Sequence, residues 1–269
     1  MADVVVEKHD SVTVITLNRP EAMNSLSASV FAGLSEAIRD FNADDDQLVA
    51  ILTGAGTKAF CAGGDLKEMA ANLKGARRVP VSTAPDISGV AAADKPTIAA
   101  INGLAVSGGL ELALCCDIRI ASTNAWFGLF EVKRGILAGL AVNTLPRLMP
   151  FGAVADMVLS GDRMTVDDAY RLGLVQQVVE PEDLLDAALA KARSIASNSP
   201  TAVWGSKQVL KYWRDLQIAE SQRYYEAVAH RVMLSGDVLE GPRAFAEKRE
   251  PTFSRTWPSP YPDQADGSE

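Results

Sequence analysis

Three short strand-like segments, set apart by turns and helical stretches, constrain the fold of this chain more than any other feature. Residues 48–52 and 97–102 have the length and apolar composition of strands that are buried on both faces, and residues 117–121 are again strand-like. A glycine-rich turn and an apolar helix around residues 110–116 lie between the second and third segments. This order of strand, turn, helix and strand predicts right-handed βαβ units and therefore an α/β fold.

Local patterns extend this prediction towards both ends of the chain. The alternation of apolar and polar residues in 4–6 and 12–17 predicts a β-hairpin, and Ser27 is placed to cap a helix whose apolar positions run to Phe41. From about Phe151 onward the pattern is helical. We expect an α/β core over residues 1–195, a helical C-terminal region over residues 196–255 and a flexible polar tail over residues 256–269.

Composition argues against several functional classes. The formal net charge of -8 offers no basic footprint for a nucleic acid. The 3 cysteines and 2 histidines are too few, and too badly spaced, for a disulfide framework, a zinc site or a Ser-His-Asp hydrolase. The first residues lack the features of a signal peptide, and no apolar run reaches the roughly 18 residues of a membrane span. We expect a cytoplasmic protein with no metal, no membrane segment and no nucleic-acid partner.

Two glycine pairs are candidates for anion-binding turns. Paired glycines let the backbone approach a ligand closely and point N–H groups at a negative charge. Gly63 and Gly64 precede Asp65, a suitable N-cap, and the alternative is a turn that needs glycine for its dihedral angles alone. Gly108 and Gly109 open an apolar helix, which would put the N–H of Gly108 at the positive end of the helix dipole.

Two glutamates stand in apolar surroundings. Glu111 lies within the apolar helix, where its alternative role is to complement the helix dipole. Glu131 follows an apolar run that ends at Phe130, and its alternative role is a surface ion pair with Lys133 or Arg134. Apolar surroundings raise the pKa of a carboxyl group, which suits proton transfer near neutral pH. With two turns able to form an oxyanion hole, the set predicts a carbonyl substrate whose α or β carbon gains or loses a proton.

The ordered motifs resemble the enoyl-CoA hydratase/isomerase (crotonase) superfamily. Residues 59–69 are similar to its first signature, and residues 95–103 with 108–111 are similar to its second. Supporting stretches at 17–20, 159–163 and 244–249 extend the resemblance over about residues 4–255. The resemblance implies a ββα spiral core with a helical trimerisation region, assembled as a homotrimer or a dimer of trimers.

The same resemblance implies roles for individual residues. By position, Gly64 and Gly108 correspond to the oxyanion donors, and Glu111 and Glu131 correspond to the two catalytic glutamates. The residues that correspond to those gripping coenzyme A are Ala22, Ala62, Asp65, Leu66 and Lys67. Phe245 and Lys248 resemble residues that reach the coenzyme A of a neighbouring subunit. Coenzyme A would arrive as part of the substrate, and we expect no other cofactor.

The implied reaction is the reversible hydration of a trans-2-enoyl-CoA to a 3-hydroxyacyl-CoA. One departure bears on it: the glycine pair that hydratases usually carry in the segment corresponding to residues 135–148 is missing here. The alternatives are therefore an isomerase, a dehydratase or racemase acting on a branched or polar acyl-CoA, and a non-catalytic binding protein with the same fold.

Overall fold

Two β-sheets and the helices packed on them form the described part of the molecule. The computed structural model describes residues 2–72, 87–215, 226, 228–230, 233 and 236–253. The strands are β1 (Val4–His9), β2 (Val12–Leu17), β3 (Val49–Gly54), β4 (Ala59–Cys61), β5 (Thr97–Ile101), β6 (Leu104–Val106), β7 (Ile118–Ser122), β8 (Trp126–Gly128), β9 (Arg163–Thr165) and β10 (Gln177–Val179). The helices are α1 (Ala28–Ala43), α2 (Leu66–Asn72), α3 (Gly108–Cys115), α4 (Leu140–Thr144), α5 (Phe151–Ser160), α6 (Val166–Arg171), α7 (Leu184–Ala196), α8 (Pro200–Asp215) and α9 (Asp237–Glu247).

The larger sheet has six strands in the order β1-β2-β3-β5-β7-β10. Strands β1 and β2 pair antiparallel, which confirms the predicted hairpin. The remaining neighbours in this order, from β2 through β10, pair parallel. Val14, Ile51, Ile98 and Ile118 lie in register across four neighbouring strands. Helix α7 packs on this face of the sheet and buries Leu184, Ala188, Leu189 and Ala192 against it.

The smaller sheet has four strands in the order β4-β6-β8-β9, of which β4, β6 and β8 run parallel. One strand of the larger sheet precedes each of these three, and a helix follows β4 and β6 directly, which confirms the predicted ββα spiral. Because the three strands are parallel neighbours, the residues that follow them meet at one edge of the sheet. The two glycine turns and Glu131 are those residues.

The C-terminal region is helical where the structure describes it. The predicted division between residues 195 and 196 falls at the end of α7, and whether the parts form separate units stays a prediction. The predicted tail over residues 256–269 lies outside the described residues. No helix of the described ranges is long and apolar enough to cross a membrane.

A buried lysine holds the end of α1 against the larger sheet. The ammonium group of Lys95, only 4% exposed, donates to the carbonyl oxygens of Phe41, Asp44 and Gln47 at 2.9, 2.6 and 2.9 Å. These carbonyls lie in or just after the last turn of α1, where the regular helical hydrogen bonds end; those of Phe41 and Asp44 also accept from the N–H groups of Asp44 and Gln47 at 3.4 and 3.1 Å. Lys95 therefore connects the C-terminus of α1 to the residues immediately before β5.

We predict that Lys95→Met lowers the free energy of unfolding by about 2–4 kcal/mol, because it removes three buried hydrogen bonds while keeping an apolar stem. Lys8→Met is the matched control: Lys8 pairs with the Asp44 carboxylate at 2.6 Å, but its side chain is 60% exposed. The control should lose at most ~0.5 kcal/mol. Denaturant unfolding at one fixed protein concentration measures both, and equal losses would contradict the assignment.

Candidate active site

The turn after β4 exposes the N–H group of Gly64. Leu26 bridges to this turn, since its N–H donates to the Gly63 carbonyl at 2.8 Å and its carbonyl accepts from Asp65 N–H at 3.0 Å. In such a parallel bridge the central residue, Gly64, directs its own N–H away from Leu26. It is Gly63 that has a positive φ of 86°, so the dihedral angles of the turn do not explain the glycine at position 64.

The turn after β6 brings Gly108 next to Gly64. Gly108 is the first residue of α3, and a Cβ built on it would lie 3.6 Å from the Gly64 nitrogen. A Cβ on Gly63 would lie 3.1 Å from the Gly108 nitrogen. Neither the Gly64 nor the Gly108 N–H donates to another group within the described ranges. The two donors therefore lie side by side, with no side chain of their own to fill the space before them.

Gly109 has a different role from Gly108. A Cβ on Gly109 would lie 2.0 Å from the Cys61 carbonyl oxygen, so only glycine allows α3 to pack this closely on β4. The prediction that Gly108 opens the helix is confirmed. The second glycine of that pair serves the packing that holds the two turns together.

Glu111 is held by the start of α4. Its Oε1 accepts a hydrogen bond from the Ala141 N–H at 3.1 Å, and the N–H groups of Gly139 and Leu140 also favour the ionised carboxylate. Burial acts in the opposite direction and is the larger effect, so the pKa of Glu111 is raised. The segment that departs from the usual hydratase pattern thus supplies the backbone donors for this acid.

Glu131 has an oxygen without a partner. It opens a 3-10 helix over Glu131–Arg134, directly beyond β8, and its Oε2 is buried with no hydrogen-bond partner among the described residues. Burial raises the pKa of Glu131 to about 7, and the negative charge of Glu111 adds to this, while the Ser107 hydroxyl acts against it. The surroundings of Glu131 therefore favour the protonated acid up to neutral pH.

The alternative that Glu131 forms a surface ion pair is wrong. Lys133 pairs with Asp162 at 3.4 Å, and the Arg134 guanidinium lies over the Phe245 ring at 4.7 Å. No ion pair of Glu131 occurs in the described part of the chain.

The predicted coenzyme A residues of the first half of the chain lie around the Gly64 turn. Ala62 N–H donates to the carbonyl of Met23, the residue after Ala22, at 3.0 Å. Asp65 caps α2 as predicted, because its Oδ1 accepts from the N–H groups of Lys67 and Glu68 at 3.1 and 3.3 Å. The other oxygen of Asp65 pairs with Arg19 at 3.1 Å, so the carboxylate is already engaged within the chain.

Leu66 and Lys67 form the first turn of α2, with Leu66 half-buried and Lys67 exposed. Both therefore follow the Gly64 turn directly. Lys67 is the one cation among the coenzyme A residues predicted in the first half of the chain.

Phe245 lies in helix α9, and Lys248 directly follows that helix. Helix α9 packs on α2 and on the 3-10 helix that carries Glu131, and a Cβ on Gly241 would lie 2.1 Å from the Arg134 carbonyl oxygen. Phe245 is 48% exposed beside Arg134, and Lys248 ends the helix with a positive φ of 53°. The contact of both residues with the coenzyme A of a neighbouring subunit, which the resemblance implies, stays a prediction.

A separate cavity of about 580 Å³ lies between α8 and the core, with Leu114, Thr144, Val203 and Leu210 in its lining. Its described lining includes neither Glu111 nor Glu131, so we do not assign the chemistry to it. Among the described residues, no three His, Cys, Asp or Glu side chains are grouped as a metal site requires.

Two contributors to the site were not predicted from the sequence. The backbone donors of residues 139–141 reach Glu111 across 30 positions of the chain. Ser107 accepts a hydrogen bond from the Phe130 N–H at 3.3 Å and has a positive φ of 53°. The position of Ser107 between β6 and a glycine pair was the available signal, since such turns often impose unusual dihedral angles.

Known proteins resemble this chain over almost its whole length. A family model described as enoyl-CoA hydratase/isomerase matches residues 7–256. The chain is 42% identical to (E)-benzylidenesuccinyl-CoA hydratase of Thauera aromatica over 93% of its own length and 98% of that protein. It is 36% identical to short-chain-enoyl-CoA hydratase of Clostridium acetobutylicum, covering 92% of this chain and 96% of that protein. Its fold matches the crystal structure of carnitinyl-CoA hydratase from Mycobacterium avium with a TM-score of 0.84 and 36% identity, over 95% of this chain and 100% of that chain.

We predict that Glu131→Gln stabilises the protein at high pH. A carboxyl group with a pKa of about 7 in the folded protein and its ordinary pKa of 4.5 in the unfolded chain is neutral in both states at low pH, and its burial becomes unfavourable as pH rises from 4.5 to 7. Glutamine avoids that penalty. The variant should therefore gain roughly 2–3 kcal/mol over wild type at pH 8.5 and much less at pH 4.5.

Denaturant unfolding at the two pH values measures this difference. Glu7→Gln, at an exposed position of β1, controls for the loss of one negative charge. A gain for Glu131→Gln that is the same at both pH values would contradict the assigned burial penalty.

Proposed function

Because the chain belongs to the enoyl-CoA hydratase/isomerase family, we propose that Gly64, Gly108, Glu111 and Glu131 carry out the reversible hydration of a trans-2-enoyl-CoA to a 3-hydroxyacyl-CoA. The single observation that carries this proposal is the difference between the two acids. Glu111 accepts hydrogen bonds from backbone N–H groups, whereas Glu131 keeps a buried oxygen without a partner.

The two glycine N–H groups provide the oxyanion hole. The thioester carbonyl oxygen of the substrate accepts hydrogen bonds from the N–H groups of Gly64 and Gly108, which lie side by side. Addition of water to the β carbon places negative charge on that oxygen as the enolate forms. Donors already aimed at the developing charge typically contribute about 3–4 kcal/mol each to catalysis.

The two acids together carry one proton in the active enzyme. Glu111 is the ionised member, since backbone N–H groups favour its charge, and Glu131 is the protonated member. In hydration, the water oxygen bonds to the β carbon, one water proton passes to Glu111, and Glu131 gives its proton to the α carbon. Dehydration reverses each step. The pair holds one proton at the start of either direction, so ionisation of Glu131 above about pH 7 removes the active form in both.

The coenzyme A part of the substrate would lie along the turn after β4 and the start of α2. Ala22, Ala62, Asp65, Leu66 and Lys67 are grouped there, and Lys67 provides an exposed cation for a phosphate. Asp65 would act through its backbone and its cap on α2, because its carboxylate is already bonded. Phe245 in α9 and Lys248 directly after it would reach the coenzyme A of a neighbouring subunit, as the resemblance implies. No cofactor beyond coenzyme A is needed for this chemistry.

A polar acyl group is the second candidate for the substrate. Asn143, in α4, has a buried Nδ2 with no hydrogen-bond partner among the described residues. It lies two positions after Ala141, whose N–H holds Glu111. An acyl group that brings an acceptor to this helix would satisfy the amide, as in the reversible dehydration of a polar 3-hydroxyacyl-CoA.

The oligomer that we propose is a homotrimer or a dimer of trimers, in the cytoplasm. Helix α8 leaves Val209, Leu210 and Tyr212 exposed at 69%, 67% and 68%. Large apolar side chains grouped on one helix are more often covered by a partner than left in water. These residues lie in the region for which the family resemblance implies trimerisation.

We predict that Glu131→Gln and Glu111→Gln each lower kcat for crotonyl-CoA hydration by about 10²–10⁴-fold, the usual contribution of a general acid or base. Loss of the conjugated enoyl absorbance measures the rate, and the circular dichroism spectrum confirms folding. Glu7→Gln is the matched control and should keep wild-type kcat. Full activity in Glu131→Gln would remove its proposed role.

Substrate range separates the candidate reactions. A hydratase consumes crotonyl-CoA, and a preference for polar acyl groups appears as a higher kcat/KM on thioesters with a hydroxyl or carboxylate near the reacting carbons. An isomerase shifts a double bond without loss of crotonyl-CoA. If the enzyme does not convert crotonyl-CoA or polar 2-enoyl-CoAs but does convert a 3-enoyl-CoA, the proposed hydration is wrong and the reaction is an isomerisation.

We predict a particle mass of three or six times the 28.6 kDa chain, measured by light scattering after gel filtration. Leu210→Glu should lower that mass, because it places a charge in the contact that we assign to α8. Arg39→Glu, on an exposed turn of α1, is the control for an added acid. A monomeric wild type would contradict the assembly.

A further inference from the structure

Ser107 adopts a backbone conformation that would suit glycine better. Its φ of 53° and ψ of -129° place it in a region that L-residues rarely enter. It stands between β6 and α3, directly before Gly108. Strained residues of this kind persist where the surrounding structure holds them and often where function requires them. The presence of serine rather than glycine at this position therefore indicates that the side chain has a role.

The backbone and hydroxyl of Ser107 connect it to two segments of the site, helix α3 and the end of β8. Its N–H donates to the Gly128 carbonyl at 2.8 Å, and its carbonyl accepts from the Glu111 N–H at 3.0 Å. Its hydroxyl oxygen accepts from the Phe130 N–H at 3.3 Å. Ser107 thus bonds to both sides of Leu129, at the end of β8, just before the chain reaches Glu131.

The same hydroxyl still has a proton to donate. A serine oxygen that accepts from a backbone N–H can donate its own hydrogen to a second group. The Glu131 carboxylate follows Phe130 in the chain, and the nearby Ser107 hydroxyl favours its ionised form, which lowers the pKa of Glu131 against the larger effect of burial.

We propose that Ser107 is a positioning residue for proton transfer: its two bonds to Gly128 and Phe130 hold the segment that leads to Glu131 against the turn that carries Gly108, the proposed oxyanion donor. This inference rests on the proposed function and extends it. The strained backbone directs the Ser107 side chain to the segment after β8 while the next N–H, that of Gly108, remains available to the substrate.

Charged groups also lie near Glu131, on its own element and on the elements packed against it. Glu111 acts on it directly. The remaining charged groups belong to the 3-10 helix itself and to the elements packed on it, α5 and α9: Lys133, Arg134, Asp156, Asp237, Glu240, Arg243 and Glu247. Lys133, Arg134 and Glu240 are engaged with Asp162, Phe245 and Arg249, respectively.

The test compares Ser107→Ala with Ser107→Gly. Both remove the hydroxyl, but glycine also relieves the backbone strain, so the glycine variant should unfold at higher denaturant than the alanine variant. In both, the pH at which kcat/KM falls on the alkaline side should rise by about one pH unit, because Glu131 loses the nearby hydroxyl that favours its ionised form. We expect kcat to fall about tenfold with little change in KM.

Ser122→Ala is the matched control, since it removes a buried hydroxyl bonded to the Ile101 carbonyl and Asn124 rather than to the acid pair. In Ser122→Ala, kcat/KM should fall at the same alkaline pH as in the wild type. An unmoved limb in both Ser107 variants would overturn the proposal, even if their activity fell.

A measurement without substrate separates this proposal from the proposed function. Carbon-13 NMR of glutamate carboxyl groups, with the Glu131 signal assigned by its loss in Glu131→Gln, gives the pKa of Glu131 directly. It should be higher in both Ser107 variants, and an equal pKa in all forms would overturn the role of Ser107. A wild type inactive towards every thioester tested would overturn the hydratase function, and the NMR titration would still decide the role of Ser107.

Discussion

The burial of two carboxylates in one site is the constraint on which the rest of the site depends. Burial raises the pKa of both acids, and the negative charge of Glu111 raises that of Glu131 further, to about 7, so one acid holds a proton near neutral pH. The backbone N–H groups of residues 139–141 determine which acid is protonated. They favour the ionised carboxylate of Glu111 and donate no hydrogen bond to Glu131. The asymmetry provides a proton donor and a proton acceptor from two identical side chains.

Three short parallel strands position the donors and Glu131. The turns that follow β4, β6 and β8 place Gly64, Gly108 and Glu131 at one edge of the smaller sheet. Gly109 allows α3 to pack directly on the Cys61 carbonyl, which fixes the first two turns against each other. Helix α9 then closes over the 3-10 helix of Glu131, where Gly241 permits the same kind of backbone contact. The donors and acids are therefore held by main-chain packing rather than by long side chains.

Features determined by local sequence were predictable. The N-terminal hairpin, the Ser27 cap on α1 and the Asp65 cap on α2 all follow from neighbouring residues, and the structure confirms them. The family resemblance predicted the ββα spiral, and the structure and the related proteins confirm it. The roles of Gly64, Gly108, Glu111 and Glu131 remain proposals, although the structure does bring them together.

Contacts between distant segments could not be predicted in the same way. The missing glycine pair in residues 135–148 marked a departure, but no local pattern showed that this segment would bind Glu111 from 30 positions away. The ion pair considered for Glu131 failed because Lys133 and Arg134 turn to Asp162 and Phe245, which come from other elements. Likewise, whether α9 covers its own chain or a neighbour depends on tertiary packing, not on the motif it carries.

The central claim is that the acid pair works with a single proton, and the pH dependence of kcat/KM in both directions tests it most directly. Hydration of the enoyl-CoA and dehydration of the 3-hydroxyacyl-CoA should lose activity together on the alkaline side, near the pKa of about 7 for Glu131. Glu131→Gln should abolish that limb in both directions. A kcat/KM in wild type that stays constant from about pH 6 to pH 9 would contradict the account, because no shared proton would then be required.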